Sequence, residues 1–337
     1  MNKNKVIQGE ICFTGSLTQL LFNNNCVIPE EVVFGLGFGL DLELKISNNI
    51  IEKLYCLDIL DDYDKISTFF KDIGIKINMF KFCKKKEFLC FLEAHYQKSV
   101  IVAIDSFNLP YWSTYLKEHN VHVVVANIWE SILIQDNFIS AIKPKNKYEY
   151  LEYSDLISYC EIRPEFFDLN FRYLCWDINI FNKDNTISKE YIYRRIKQLD
   201  SKKRKKSLNN LLCLFEYYYS IDYFNKEVLF DINKKISSNG GLYQSRKLYS
   251  KFLLWCALNV SYDNHIKKEF FNISDSFNGI STKWRLISTL ILKGSLKKEK
   301  PKWKKIVNLT QQNIVSENNN QKKLLKIIDT ERENYDE

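Results

Sequence analysis

Hydrophobic positions along the first third of the chain follow two different periods. Phe13, Leu17, Leu20 and Leu21 recur at i, i+4, i+7 and i+8, which predicts a short amphipathic helix beginning at Cys12. Gly9 before it and the run Asn23-Asn24-Asn25 after it are its stops. Leu42-Glu43-Leu44-Lys45-Ile46 alternates as a strand does, and helices are predicted over residues 62–70 and 85–97. Residues 100–105 form a continuous apolar strand of the kind buried on both faces. Residues 121–126 and 132–136 then read as a hairpin turning through 127–131. From about residue 145 helical spacing takes over, at 155–160, 189–199, 208–219, 244–260 and 283–292, with a last helix near 322–332. Asn239-Gly240-Gly241 marks a break. The glycines of Gly35-Leu36-Gly37-Phe38-Gly39 predict a tight loop; Leu40 stands where a dinucleotide fingerprint needs glycine. The expected fold class is α+β, an N-terminal helix packed on an antiparallel sheet followed by a mostly helical C-terminal half. The expected divisions are 1–145, 146–300 and a polar, partly helical or disordered tail over 301–337.

With 45% apolar and 15% aromatic residues the chain can bury a core, which excludes a disordered protein. No apolar run reaches ~18 residues, so no membrane span is expected, and Met1-Asn-Lys-Asn-Lys does not open a signal peptide. Nine cysteines without a CxxC pair fit neither a zinc site nor a disulfide framework, and point to reducing cytoplasm. Charge is uneven. Residues 1–150 hold 16 Lys, no Arg and 18 acids, leaving residues 151–337 with 33 of the 49 basic and 23 of the 41 acidic residues. A basic second half suits an acidic partner, although Lys202-Lys203-Arg204-Lys205-Lys206 reads first as a solvated helix face. Tyr217-Tyr218-Tyr219 reads as core.

Chemistry concentrates on Cys12. At the first turn of a helix, unpaired N–H groups and the macrodipole favour a thiolate and can hold an oxyanion. If the hairpin turns about Trp129, His122 and Asp136 are directly opposed across it, with Cβ atoms ~4.5–5.5 Å apart on one face. Cys12 as nucleophile, His122 as base and Asp136 as orienting acid then form the constellation of papain-like cysteine enzymes. His119, in a polar stretch, is the rival base, and Asp105 the rival acid. His95 reads as a surface or packing residue.

The order of four segments carries a resemblance: Cys12 with its helix, Glu31-Val32-Val33-Phe34-Gly35-Leu36-Gly37-Phe38-Gly39, Val102-Ala103-Ile104-Asp105 with Leu109-Pro110-Tyr111, and His122-Val123-Val124-Val125. Together they resemble the N-terminal domain of the butirosin biosynthesis protein H family, a relative of the C39-type cysteine peptidases. They are also similar to the cysteine-protease-like amide synthetase of closthioamide assembly. The resemblance implies a papain-like fold that takes an acyl group from the phosphopantetheine thioester of an acyl or peptidyl carrier protein and passes it to a small-molecule amine. It implies no bound cofactor and no metal. It matches Cys12 to the nucleophile, His122 to the base and Asp136 to the third member, with Asp105, Tyr111 and Trp112 at the substrate. The oxyanion would be held by the Cys12 N–H and by Gln8, which lies four residues before the cysteine where papain-like enzymes place a glutamine about six before. Water in place of the amine would make the same machinery a thioesterase or peptidase. A non-catalytic nucleic-acid-binding protein is the reading from another class, without a recognised motif to support it.

Overall fold

The computed structural model describes residues 5–37, 39–56, 63–112, 114–138, 147–163, 169–182, 187–198, 202–237, 240–260 and 262–336. Phe38, Asn239 and the expected boundary at 145/146 lie outside these residues. The chain divides into two compact units, residues 1–33 with 66–186 and residues 34–65 with 187–337.

The first unit is built on a six-stranded antiparallel sheet. Its strands are β3 (Ile75–Phe82), β4 (Ser99–Asp105), β5 (Val121–Asn127), β6 (Ile132–Asp136), β7 (Lys147–Leu151) and β8 (Tyr173–Ile180), in the order β3-β8-β4-β5-β6-β7. The unit runs past residue 145 because β8 inserts between β3 and β4. The helical texture expected after 145 is therefore interrupted by two strands, β7 and β8, and β3 joins them as a strand the periodicity reading passed over. Val100, Val102 and Ile104 of β4 pack with Val124 and Ala126 of β5 against α4 (Lys85–Ala94) and α5 (Tyr153–Cys160). The alternate residues of β4 and β5 point the other way, where α1 (Cys12–Asn23) packs on both strands. Two covered faces explain why these strands are apolar at nearly every position.

α1 is buried from Phe13 to Leu21 without a break. The short amphipathic helix the spacing predicts is enclosed on its polar side too, because its polar positions are also inside and find partners there. Ser16 donates to the Val123 carbonyl at 3.1 Å, and Gln19 accepts the Ile7 N–H at 2.7 Å and donates to the Lys5 carbonyl at 3.1 Å. The apolar stripe still anchors the helix: Phe13, Leu17, Leu20 and Leu21 are all but inaccessible, and each such burial stabilises by about 1.5–3 kcal/mol.

In the second unit, β1 (Glu43–Ser47) and β2 (Ile50–Tyr55) form an antiparallel pair beside a helical assembly. Its helices are α6 (Lys189–Gln198), α7 (Lys202–Ser220), α8 (Lys226–Ser237), α9 (Leu242–Asn259), α10 (Asn264–Lys297) and α11 (Trp303–Asp336). α10 packs on α8, α9 and α11. Asp263 caps it by accepting the Ile266 N–H at 2.8 Å, and Lys298 ends it in the left-handed region at φ 56°. α2 (Glu30–Gly37) replaces the loop expected around Gly35 and Gly37. Gly35 is required by packing rather than by a turn, since a Cβ there would lie 2.1 Å from the Phe252 ring. Within the basic run only part is solvated: Lys202, Lys203 and Lys206 are exposed, but Arg204 is buried. Of the three tyrosines only Tyr218 is core; Tyr217 and Tyr219 are exposed. Among the described residues no helix is long and apolar enough to cross a membrane.

Candidate active site

Cys12 is the first residue of α1, preceded by Ile11 in an extended conformation that makes no side-chain cap. An isoleucine there sets no acceptor over the N–H groups of the first turn, so the mouth of the helix remains polar and donor-rich. Cys12 is partly accessible, unlike the fully buried helix that follows.

The bond from Ser16 to Val123 sets the first turn of α1 beside the start of β5, where His122 is the second residue. His122 is buried, and its Nε2 lies 2.9 Å from both carboxylate oxygens of Asp136. Cys12 is close enough to raise the pKa of His122. With Nε2 committed to the carboxylate, Nδ1 is the nitrogen left for the thiol. Burial alone would drive this imidazole towards neutrality. Asp136 and Cys12 outweigh burial and push its pKa up to about 10.

The register behind this pair differs from the expected one. β5 and β6 pair Val125 with Gln135 and Ala126 with Ile134, so continuing the ladder sets Asp136 against Val124 rather than His122. The shift is two residues, which leaves both side chains on one face, and the pair meets diagonally. The same alternation separates Asp105 from His122. β4 pairs Ile104 with His122 and Asp105 with Val121, so Asp105 points to the opposite face. Asp105 instead accepts from the Phe107 N–H at 3.0 Å and pairs with His119 Nδ1 at 2.6 Å, while His119 stacks on Phe107 at 4.3 Å. The two residues weighed as alternatives for the triad thus partner each other.

Asp136 has further donors. Trp112 Nε1 donates to it at 3.2 Å and the Phe138 N–H at 3.1 Å, and the Tyr111 hydroxyl is electrostatically coupled to it. Burial first, then the charge of Asp136, pushes the Tyr111 hydroxyl well above its ordinary value, so it remains a donor. The Trp112 ring lies 4.4 Å from the His122 ring. Tyr111 and Trp112, expected at the substrate, hold the acid. Gln8 is exposed. Gln19, two turns further along α1, is buried, and both ends of its amide are engaged by Ile7, Asn137, Lys5 and Asn23. His95 lies elsewhere, bonded to Asp177 at 2.8 Å and packed on Phe91.

Glu30 is a residue the sequence reading missed. Its carboxylate accepts from the Glu10 N–H at 2.7 Å, the Ile11 N–H at 2.9 Å and the Thr14 hydroxyl at 2.6 Å, beside Cys12. Burial pushes its pKa up to about 7, against these three bonds. Only its position at the start of α2 was legible, where an acid reads as an ordinary first-turn residue.

A thiol at a helix N-terminus, an imidazole whose pKa it raises and a buried carboxylate bonded to that imidazole are the parts from which an activated sulfur nucleophile can be assembled. Residues 11–136 match the family model described as Butirosin biosynthesis protein H, N-terminal. That stretch opens one residue before Cys12 and closes on Asp136, and over it the chain is similar to that family. No curated protein matches the sequence.

Proposed function

We propose that the protein is a cysteine-dependent acyltransferase of natural-product biosynthesis that forms an amide from a carrier-bound thioester and an amine. The observation that carries this reading is the imidazole of His122, bonded to the buried Asp136 and raised in pKa by the partly accessible Cys12 as well. The match to a biosynthetic family over residues 11–136 supports the acyl-transfer class. In this reading the first unit is a papain-like scaffold, with α1 presenting the thiol and the antiparallel sheet presenting base and acid.

In the first half-reaction the Cys12 sulfur attacks the thioester carbonyl. The N–H groups at the mouth of α1 hold the resulting oxyanion. The tetrahedral species collapses, the carbon–sulfur bond to the phosphopantetheine arm breaks, and the departing thiolate takes a proton from His122. In the second, an amine attacks the acyl-cysteine while His122 accepts its proton, and collapse releases the amide and the Cys12 sulfur. Thioester exchange is nearly balanced and the amide is more stable, so no nucleotide is consumed. Asp136, held by Trp112, Tyr111 and Phe138, stabilises the imidazolium formed in each cycle. The basic second half is assigned to the acidic carrier protein.

The test is a partition experiment with acyl-pantetheine thioesters, a panel of amines and mass analysis of products. Amide in excess of free acid, abolished by Cys12→Ala, is expected. Free acid alone with every amine would make the protein a hydrolase.

A further inference from the structure

Glu30 is a buried carboxylate that no step of the proposed chemistry uses. Its three donors bracket the thiol: two are backbone N–H groups of the residues just before Cys12, and the third is the hydroxyl two residues after it. In a capping box an acid at the third helical position reaches back to the N–H of the residue preceding the helix. Here that position is Thr14, which cannot act so, and Glu30 takes the Ile11 N–H from another helix while holding Thr14 as well.

The surroundings are built around this carboxylate. A Cβ on Gly9 would lie 3.0 Å from the Gly15 Cα and 3.5 Å from Glu30 Oε2, so the chain entering α1 lies close against the helix where neither position carries a side chain. The Gly9 N–H donates to the Asn137 carbonyl at 2.8 Å, and Asn137 follows Asp136 directly. One buried side chain thereby sets the chain before the thiol, the first turn after it and, through Gly9, its distance from the strand end that carries the acid. A burial that raises the carboxyl to about 7 is a cost, and one retained although a neutral capping residue at position 11 would satisfy the helix more cheaply. A side chain capping at position 11 would, however, occupy the N–H groups needed for the oxyanion.

We propose that Glu30 is a positioning residue for Cys12, fixing the entry to α1 from outside the helix so that the thiol and the first-turn N–H groups hold their places with the mouth left open. This rests on Cys12 being the nucleophile.

Two readouts test it in Glu30→Gln and in the milder Thr14→Val: the rate of Cys12 alkylation by iodoacetamide, mapped by peptide mass, and acylation by an acyl-pantetheine thioester. Folded variants are expected to lose about tenfold or more in both rates, while KM for the thioester stays within about twofold. Rates within about twofold of wild type in a folded variant would overturn the proposal, and Thr14→Val decides by the same criteria if Glu30→Gln does not fold. If the wild-type protein accepts no acyl group, the functional reading falls and alkylation alone judges Glu30.

Discussion

At His122 burial and charge pull in opposite directions, and charge wins. Its folded pKa, about 10, stands above the ordinary value of 6.5, so the imidazolium contributes stability that is fully present below 6.5 and lost as pH rises through about 10. The stability advantage of wild type over Asp136→Asn, measured by denaturant unfolding at several pH values, is expected to shrink across that window. A gap that widens with rising pH would contradict the assignment. Asp136→Asn should also slow acylation by about 10²–10⁴-fold, because the imidazole loses the group that orients it and stabilises its charge. Single-turnover acylation measures this. How much was legible differs from residue to residue. The helix start at Cys12 and the pairing of His122 with Asp136 were legible because residue type, helix start and strand parity are local signals. Parity survived a register shift of two residues, since the side-chain period is two. Glu30 was not legible: its partners lie 16 to 20 residues away and are mostly backbone N–H groups, which leave no mark in sequence.

Among the elements, the segment between β4 and β5 links the two His–Asp pairs. Asp105 and His119 close its base, with Leu116 N–H bonded to the Phe107 carbonyl at 3.0 Å, while Tyr111 and Trp112 at its middle hold Asp136. His119→Phe would keep the stacking on Phe107 and leave Asp105 with one partner fewer, a cost of about 1–3 kcal/mol. The expected outcome is a lower midpoint of unfolding together with altered Trp fluorescence and slower acylation; an unchanged midpoint would show that the pair does not hold the segment. In α1, Leu17→Ala should cost about 2–5 kcal/mol, read by the same unfolding titration, because Leu17 is fully enclosed. The spacing of α1 gave its existence and its start. It could not give burial on all sides, which depends on Gln19, Ser16 and Thr14 finding partners from distant segments.

For the whole molecule, the helices after residue 187 were legible only in part from their 3.6-residue period: α8 was passed over, and α10 and α11 run well beyond the expected 283–292 and 322–332, while the sheet was only half legible. β8 reaches its partners β3 and β4 across about 70 to 100 residues, and a strand that follows helical patterns looks like an irregular stretch until its neighbours are known. The second unit carries its own buried ion pair, Arg246 Nε to Glu317 Oε1 at 2.6 Å, with Arg246 Nη1 on the Cys56 sulfur at 3.0 Å. Burial opposes the guanidinium charge and Glu317 outweighs it. Glu317→Ala would strand that charge and is expected to cost about 3–5 kcal/mol, whereas replacing both partners by apolar residues of similar volume should cost far less. If the single and double replacements destabilise equally in urea titrations, the pair is not what makes the single loss severe.

The most direct measurement is the intact mass of the protein after rapid mixing with an acyl-pantetheine thioester, followed by peptide mapping and a chase with amine or water. The expected result is one acyl group on Cys12, absent from Cys12→Ala and sharply slowed in His122→Ala, discharged faster by amine than by water. An acyl group that appears equally on Cys12→Ala, or a wild-type protein that stays unmodified while its folded state is intact, would contradict a nucleophilic Cys12.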